Sequence, residues 1–284
     1  MKQRIIFLLL IPISILLSNC KSTQKEAYVK SAPFDESLME LPKLNVGTQG
    51  EYISYCGFNL SFNKDWLIPN WVAYELTREE TQGMSSRKKQ HFQPDPNLDK
   101  CAENTDYSHS GYSRGHLAPA GDMKWDSCAM TNCFYLTNIC PQDKEMNAGC
   151  WQTLEEKCRV WARGSAGSLL IVCGPIVKDT EKRIGRNGVV VPDGFFKAVL
   201  QKREIGYVGI GFLFPNKESH LPFSYYAVSI DDVERVTRFD LFHNLPDSIE
   251  ESVESKFKYE DWGLREPETS IIEDANFLRT NPHQ

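Results

Sequence analysis

The chain has 284 residues, 41% of them hydrophobic and 25% charged, a composition that suits a folded globule with a sizeable core and excludes a wholly disordered chain. Its formal net charge is −6, so bulk positive charge is excluded as a means of drawing it to a polyanion. The acidity is local: fourteen acidic and six basic residues follow from Asp231 onward, which leaves residues 20–230 neutral overall.

Residues 1–19, "MKQRIIFLLLIPISILLSN", set Lys2 and Arg4 before an apolar run from Ile5 to Leu17. That run falls short of the about 20 residues of a bilayer span and has the layout of an export signal. The next stretch, "LLSNCKS", resembles the lipobox of bacterial lipoproteins, with a leucine three residues before Cys20. The expectation is an exported chain held to a membrane through lipid on Cys20, facing the periplasm or cell surface. Plain secretion, with Cys20 in a disulfide, is the alternative.

Residues 20–45 are polar, with two prolines and little periodicity, and read as a tether. A folded domain is expected over 46–262, with 263–284 as a tail. "YISYCGFNLSFNKDWLIPNWVAYELT" alternates apolar and polar residues and reads as strands with turns at Asn63-Lys64-Asp65 and Pro69-Asn70. "CFYLTNI", "SLLIVCGPIV", "GVVVPDGFFKAVL" and "YVGIGFLFP" add strands, several of them apolar enough to be buried on both faces. Asn147, Trp151, Leu154, Cys158 and Trp161 recur at helical spacing along one face, with Gly164 as a stop. "SIDDVERVTRFDLFHNL" and "DSIEESVESKF" predict two further helices, begun by Ser229 or Asp231 and by Asp247 or Ser248. Strands and helices do not alternate strictly, so the fold class is α+β, a central, mainly antiparallel sheet of about five or six strands flanked by helices.

Setting Cys20 aside leaves Cys56, Cys101, Cys128, Cys133, Cys140, Cys150, Cys158 and Cys173. In an exported chain this even set predicts up to four bridges, with the pairing open. A zinc cluster of Cys128, Cys133 and Cys140 competes, although no pair has the two-residue spacing of a zinc knuckle.

In "GYSRGHLAPAGDMKW", Arg114 and His116 stand two apart and would share a face of an extended strand. A guanidinium fork for phosphate beside an imidazole able to take a proton suits attack by water on a phosphodiester. An ordinary polar loop explains the same tripeptide. A second segment, "YLTNICPQDKEMNAGCWQTLE", holds Asn138, Asn147 and Glu155. The amide oxygen of Asn147 is a hard neutral ligand suited to Mg²⁺. On a regular helix Glu155 lies about 80° around and about 12 Å along from Asn147, too far for direct sharing of one ion. A role through water ordered around the ion remains, as does that of a solvated carboxylate.

"SRGH" followed by "TNICPQDKEMNAGCWQTLE" resembles the DNA/RNA non-specific endonucleases of the ββα-metal, or His-Me finger, superfamily. "WVAYELT", "CGPIV", "VPDGFFKAVL" and "AVSIDDVE" extend the resemblance over about 46–262. It implies a ββα-metal finger, His116 as general base, Asn147 as direct ligand of one Mg²⁺ (Mn²⁺ or another divalent ion substituting), Glu155 organising water at the ion, Asn138 fixing the geometry and Arg114 at the phosphate. The family's upstream substrate-binding arginine corresponds to Arg87 in "SSRKKQHFQPDP", with Lys88 and Lys89 as rivals. The resemblance implies hydrolysis of DNA and RNA to 5′-phosphate ends with little base specificity, and admits a homodimer. One departure is Ser113, where the family carries aspartate before Arg-Gly-His. It motivates the alternative of a surface lipoprotein that binds nucleic acid or host macromolecules on the same fold with weak catalysis.

Overall fold

A computed structural model describes residues 38–43, 49–164 and 168–267. The expected signal, Cys20 with its lipid, most of the tether and residues 268–284 of the tail lie outside the described residues.

β1 (Glu51–Tyr55), β2 (Phe58–Asn63) and β3 (Ile68–Leu76) form an antiparallel meander. Its first turn is Cys56-Gly57, where Gly57 takes φ 101°, a left-handed conformation open to glycine. The second turn is the expected one: the Asn63 carboxamide accepts from Asp65 N (3.0 Å) and Trp66 N (3.1 Å). Pro69-Asn70 is not a turn. It lies within β3 at a register shift opposite Ser61 and Phe62, a bulge that tolerates the missing proline N–H.

After β3 the chain leaves the sheet for an excursion that includes α1 (Asn104–Tyr107), β4 (Ser113–His116), α2 (Ser127–Asn132), β5 (Ile139–Gln142), α3 (Lys144–Met146) and α4 (Gln152–Gly164). It returns as β6 (Leu169–Ile176), and a small hairpin of β7 (Arg183–Ile184) and β8 (Val189–Val190) precedes β9 (Gly194–Lys202), β10 (Tyr207–Pro215) and β11 (Ala227–Val228). "CFYLTNI" is mostly not strand: a 3-10 turn occupies Leu136–Asn138 and only Ile139 enters β5.

The main sheet has seven strands in the order β1-β2-β3-β6-β9-β10-β11, every neighbouring pair antiparallel. Both faces are covered. Phe195, Val199, Cys173 and Phe212 pack toward α4 and the excursion, whereas Phe196, Ala198, Leu200 and Val172 pack toward α5 (Ile230–Thr237) and α6 (Asp247–Glu254). Alternation along β9 therefore sends its odd-numbered residues to one layer and its even-numbered ones to the other.

Ser229 caps α5 by accepting from Asp232 N at 3.1 Å, but the helix ends sooner than its pattern predicts. Arg238 turns left-handed (φ 65°), and the chain loops through Phe242 (φ 52°) before α6. Within the expected tether, Leu41 is buried against this helical layer and Lys43 N donates to Asp240 O at 2.9 Å. Among the described residues no helix is long and apolar enough to cross a membrane.

Of the up to four bridges expected, the described residues hold one. Cys56 and Cys128 form a disulfide that ties β1 and β2 to α2, while Cys101, Cys133, Cys140, Cys150, Cys158 and Cys173 are free thiols. Five of these six are buried and pack as small hydrophobes in the core. With Cys128 oxidised, the cluster of Cys128, Cys133 and Cys140 is not a zinc site.

Candidate active site

β4 and β5 pair antiparallel, with Ser113 opposite Gln142, Arg114 opposite Pro141, Gly115 opposite Cys140 and His116 opposite Ile139. The chain then enters α3 and α4, which completes a β-β-α unit. As the two-residue spacing predicts, Arg114 and His116 line one cavity of about 550 Å³, and Arg87, Asn147 and Glu155 line it too. Gly115 faces inward: a Cβ there would stand 1.9 Å from Gln142 Oε1, so no larger residue fits between the two expected site residues.

The His116 imidazole is walled by Phe92, with ring centroids 5.1 Å apart, and by Phe134, edge-on at 4.9 Å. Nε2 is buried without a hydrogen-bond partner. Loss of hydration, aided by the positive charge of Arg87, pushes the imidazole down to about 3, so it is neutral and resists protonation. Trp151 Nε1 donates to His116 O at 3.3 Å and fastens the end of β4 to the helix. Arg114 donates to Asn104 Oδ1 (2.8 Å) and lies 4.8 Å over the Phe92 ring. Arg87 lies 5.9 Å from the Phe134 ring centroid. Lys88 and Lys89, the rival cations of that run, are not among the cavity's lining residues.

Asn138 has a different place. It is fully buried, its Oδ1 accepts from Ala118 N (2.9 Å), and its Nδ2 donates to Ala118 O (2.9 Å) and Cys133 O (2.8 Å). It braces the loop that leaves His116 and does not line the cavity.

The helix is not regular where it matters. Between α3 and α4, over Asn147–Trp151, the helix kinks at Gly149, whose φ −102° and ψ −108° are not helical. The kink interrupts the regular helical offset of about 80° between Asn147 and Glu155, and both residues line the cavity. Burial pushes the Glu155 carboxyl up to about 8, with Lys197 and Arg159 pulling the other way and Asp122 adding to the rise. A neutral amide oxygen beside a carboxylate that is costly to ionise fits a hard divalent cation, whose charge would stabilise the ionised acid.

Two residues are added to the expected set. Arg159, one turn beyond Glu155, lines the cavity and donates to buried Asp122 Oδ1 at 2.7 Å, while Tyr74 Oη donates to Asp122 Oδ2 at 2.9 Å. The i, i+4 spacing on an established helix face is a signal that could have found it. Lys197, from β9, is wholly buried beneath the helix, its Nζ 4.6 Å from the centroid of the Trp151 ring. Burial opposes its charge, but the negative groups around it, Glu155 and Asp122 among them, hold it above the ordinary lysine value. A lysine inside the apolar run "GFFKAVL" was its only sequence signal. The cavity rim thus holds Arg87, Arg114, Lys124 and Arg159 against Glu155 and Glu156, a positive site on an acidic chain.

Comparison with known proteins follows the same residues. The family model described as DNA/RNA non-specific endonuclease matches residues 37–248. The mitochondrial nuclease EXOG of Xenopus laevis is 36% identical over 217 residues, which covers 70% of this chain and 60% of that protein. Mitochondrial endonuclease G of Bos taurus is 29% identical over 224 residues, 74% of this chain and 75% of that one. A crystal structure of the EndoG/EndoGI complex superposes with a TM-score of 0.65 at 27% identity, covering 73% of this chain and 89% of that chain. The chain spans 60% of the length of the Xenopus relative.

Proposed function

This chain belongs to the DNA/RNA non-specific endonuclease family, and from that premise we propose that it is a divalent-metal-dependent endonuclease, exported and lipid-anchored at Cys20, that hydrolyses DNA and RNA to 5′-phosphate ends. The observation that carries this reading is the convergence of a neutral, unpartnered imidazole, an asparagine, a carboxylate and three arginines on one cavity.

Asn147, with Glu155 acting through water, would hold Mg²⁺, and the ion would supply positive charge that stabilises the phosphodiester as it reacts. His116 Nε2 accepts a proton from water as the water oxygen attacks phosphorus; the P–O3′ bond breaks, the phosphate stays on the 5′ carbon of the downstream fragment, and the departing 3′ oxygen takes a proton from solvent water to become a 3′-hydroxyl. An incoming phosphodiester offsets the charge of Arg87 and raises the basicity of His116 toward its working range. Arg87 and Arg114 hold the phosphate, and Arg159, fixed by Asp122, adds charge at its far side. These contacts are to phosphate, so base sequence is read weakly. Serine at 113 retains a hydroxyl opposite Gln142 but no charge, which bears on rate rather than on the set of reacting groups.

The test is digestion of plasmid DNA, single-stranded DNA and RNA with Mg²⁺ or EDTA. Cleavage of all three polymers with Mg²⁺, abolished by EDTA and by Asn147→Ala, is expected. Wild-type protein that binds these polymers but leaves them intact would replace the enzyme with the nucleic-acid-binding lipoprotein reading.

A further inference from the structure

Among the described residues, the acidic side chains of α5 and α6 take no part in the cavity, because the two helices lie on the other face of the sheet. The two helices sit closely on β10. A Cβ at Gly209 would stand 2.5 Å from Ile230 Cδ1 and 2.7 Å from Val253 O, and one at Gly211 would stand 2.6 Å from Val233 Cγ2. Bare glycines at both positions let α5 and α6 settle side by side.

Where they meet, carboxylate oxygens of Asp231, Glu234 and Glu254 lie within 4.8 Å of one another. Glu254 is only 6% exposed, and its Oε1 is buried with no hydrogen-bond partner. Glu234 is already fixed in place, one oxygen accepting from Leu241 N at 2.6 Å. The nearby bases are engaged elsewhere: Arg235 pairs with Asp232 at 2.6 Å, and Lys43 with Asp240 at 3.0 Å. Glu250 and Asp240 add further negative charge around the group. Burial first, and then mutual repulsion, pushes Glu234 up to about 7 and Glu254 up to about 9. A buried carboxylate oxygen without a donor, facing two more carboxylates, calls for a cation.

We propose that Asp231, Glu234 and Glu254 bind a hard divalent cation of calcium size that clamps α5 to α6. All three oxygens lie within 4.8 Å of one another, close enough to reach one ion, and a carboxylate set of irregular geometry suits Ca²⁺ better than Mg²⁺, which demands near-ideal octahedral geometry. Asp231 is exposed and leaves one side open to water, as Ca²⁺ sites commonly are. The site is separate from the reacting cavity and does not depend on the nuclease reading.

The experiment uses the full chain carrying Asn147→Ala, which removes the active-site cation ligand, stripped with EDTA and titrated with Ca²⁺ or Mg²⁺ by calorimetry and thermal melting. One Ca²⁺ is expected to bind and to raise the Tm by about 5–10 °C at a hundredfold excess over Kd, with a smaller gain from Mg²⁺. Adding Glu254→Gln, or the milder surface change Asp231→Asn, is expected to remove the binding and the Tm gain while the EDTA-state Tm is unchanged or higher. Ca²⁺ binding that survives both substitutions overturns the proposal. So does a chain indifferent to Ca²⁺ whose Tm rises as pH falls from 8 to 6, the mark of carboxyls sharing a proton.

Discussion

A histidine enclosed by Phe92 and Phe134 and faced by Arg87 resists protonation, and that resistance is measurable as stability. The unfolded imidazole takes a proton near its ordinary value of about 6.5, whereas the folded one does so only at about 3. Between those values the unfolded chain binds the extra proton, so this site's contribution to stability is full above pH about 6.5 and is lost as pH falls toward 3. Thermal melts of His116→Gln beside wild type should therefore converge as pH drops through that window; a constant gap would contradict the buried neutral imidazole. Lys197 is the second residue with a definite expectation. Its ammonium favours the ionised form of Glu155, so Lys197→Met should preserve the fold but move Glu155 further above about 8. The pH at which cleavage reaches half its maximum should rise, and Lys197→Arg should restore part of it. A purely structural role would change expression or Tm and leave the pH profile in place.

At the scale of elements, the close fit of β4 on β5 positions the site. Gly115→Ala places a methyl against the Gln142 amide and should cost about 1–3 kcal/mol by overpacking, with a loss of activity larger than the loss of stability because Arg114 and His116 flank the displaced backbone. Chemical denaturation and turnover measured on the same preparation check this. The strands β6, β9 and β10 were legible because long apolar runs need cover on both faces, and the Arg114–His116 pair was legible because strands alternate. The turn at Cys56-Gly57 and the bulge at Pro69-Asn70 were not, since each depends on which strand lies opposite. The kink at Gly149 was not legible either, since nothing in the helical pattern marks where the chain bends between Asn147 and Glu155. Arg159 was readable by helical spacing from Glu155, whereas the role of Lys197 required knowing that β9 lies under the helix.

For the whole molecule, charge is segregated by the sheet. The basic rim of Arg87, Arg114, Lys124 and Arg159 is on one side, and the acidic helices α5 and α6 are on the other. Net charge therefore misdescribes the surface that a polyanion meets, and local field focuses it instead. Binding of an uncleaved polymer by His116→Ala should weaken linearly in log salt, and Arg87→Ala should reduce the slope by about 0.7–0.9, the value for one phosphate contact. An unchanged slope would place Arg87 outside the substrate path.

Imidazole rescue measures the role of His116 as the base directly. His116→Gly opens space in the cavity beside Phe92 and Phe134. Its cleavage rate should be lower than wild type by about 10²-fold or more, and should recover in proportion to added neutral imidazole, with Mg²⁺ dependence unchanged. A His116→Gly chain that cleaves DNA at the wild-type rate without imidazole would contradict the assignment.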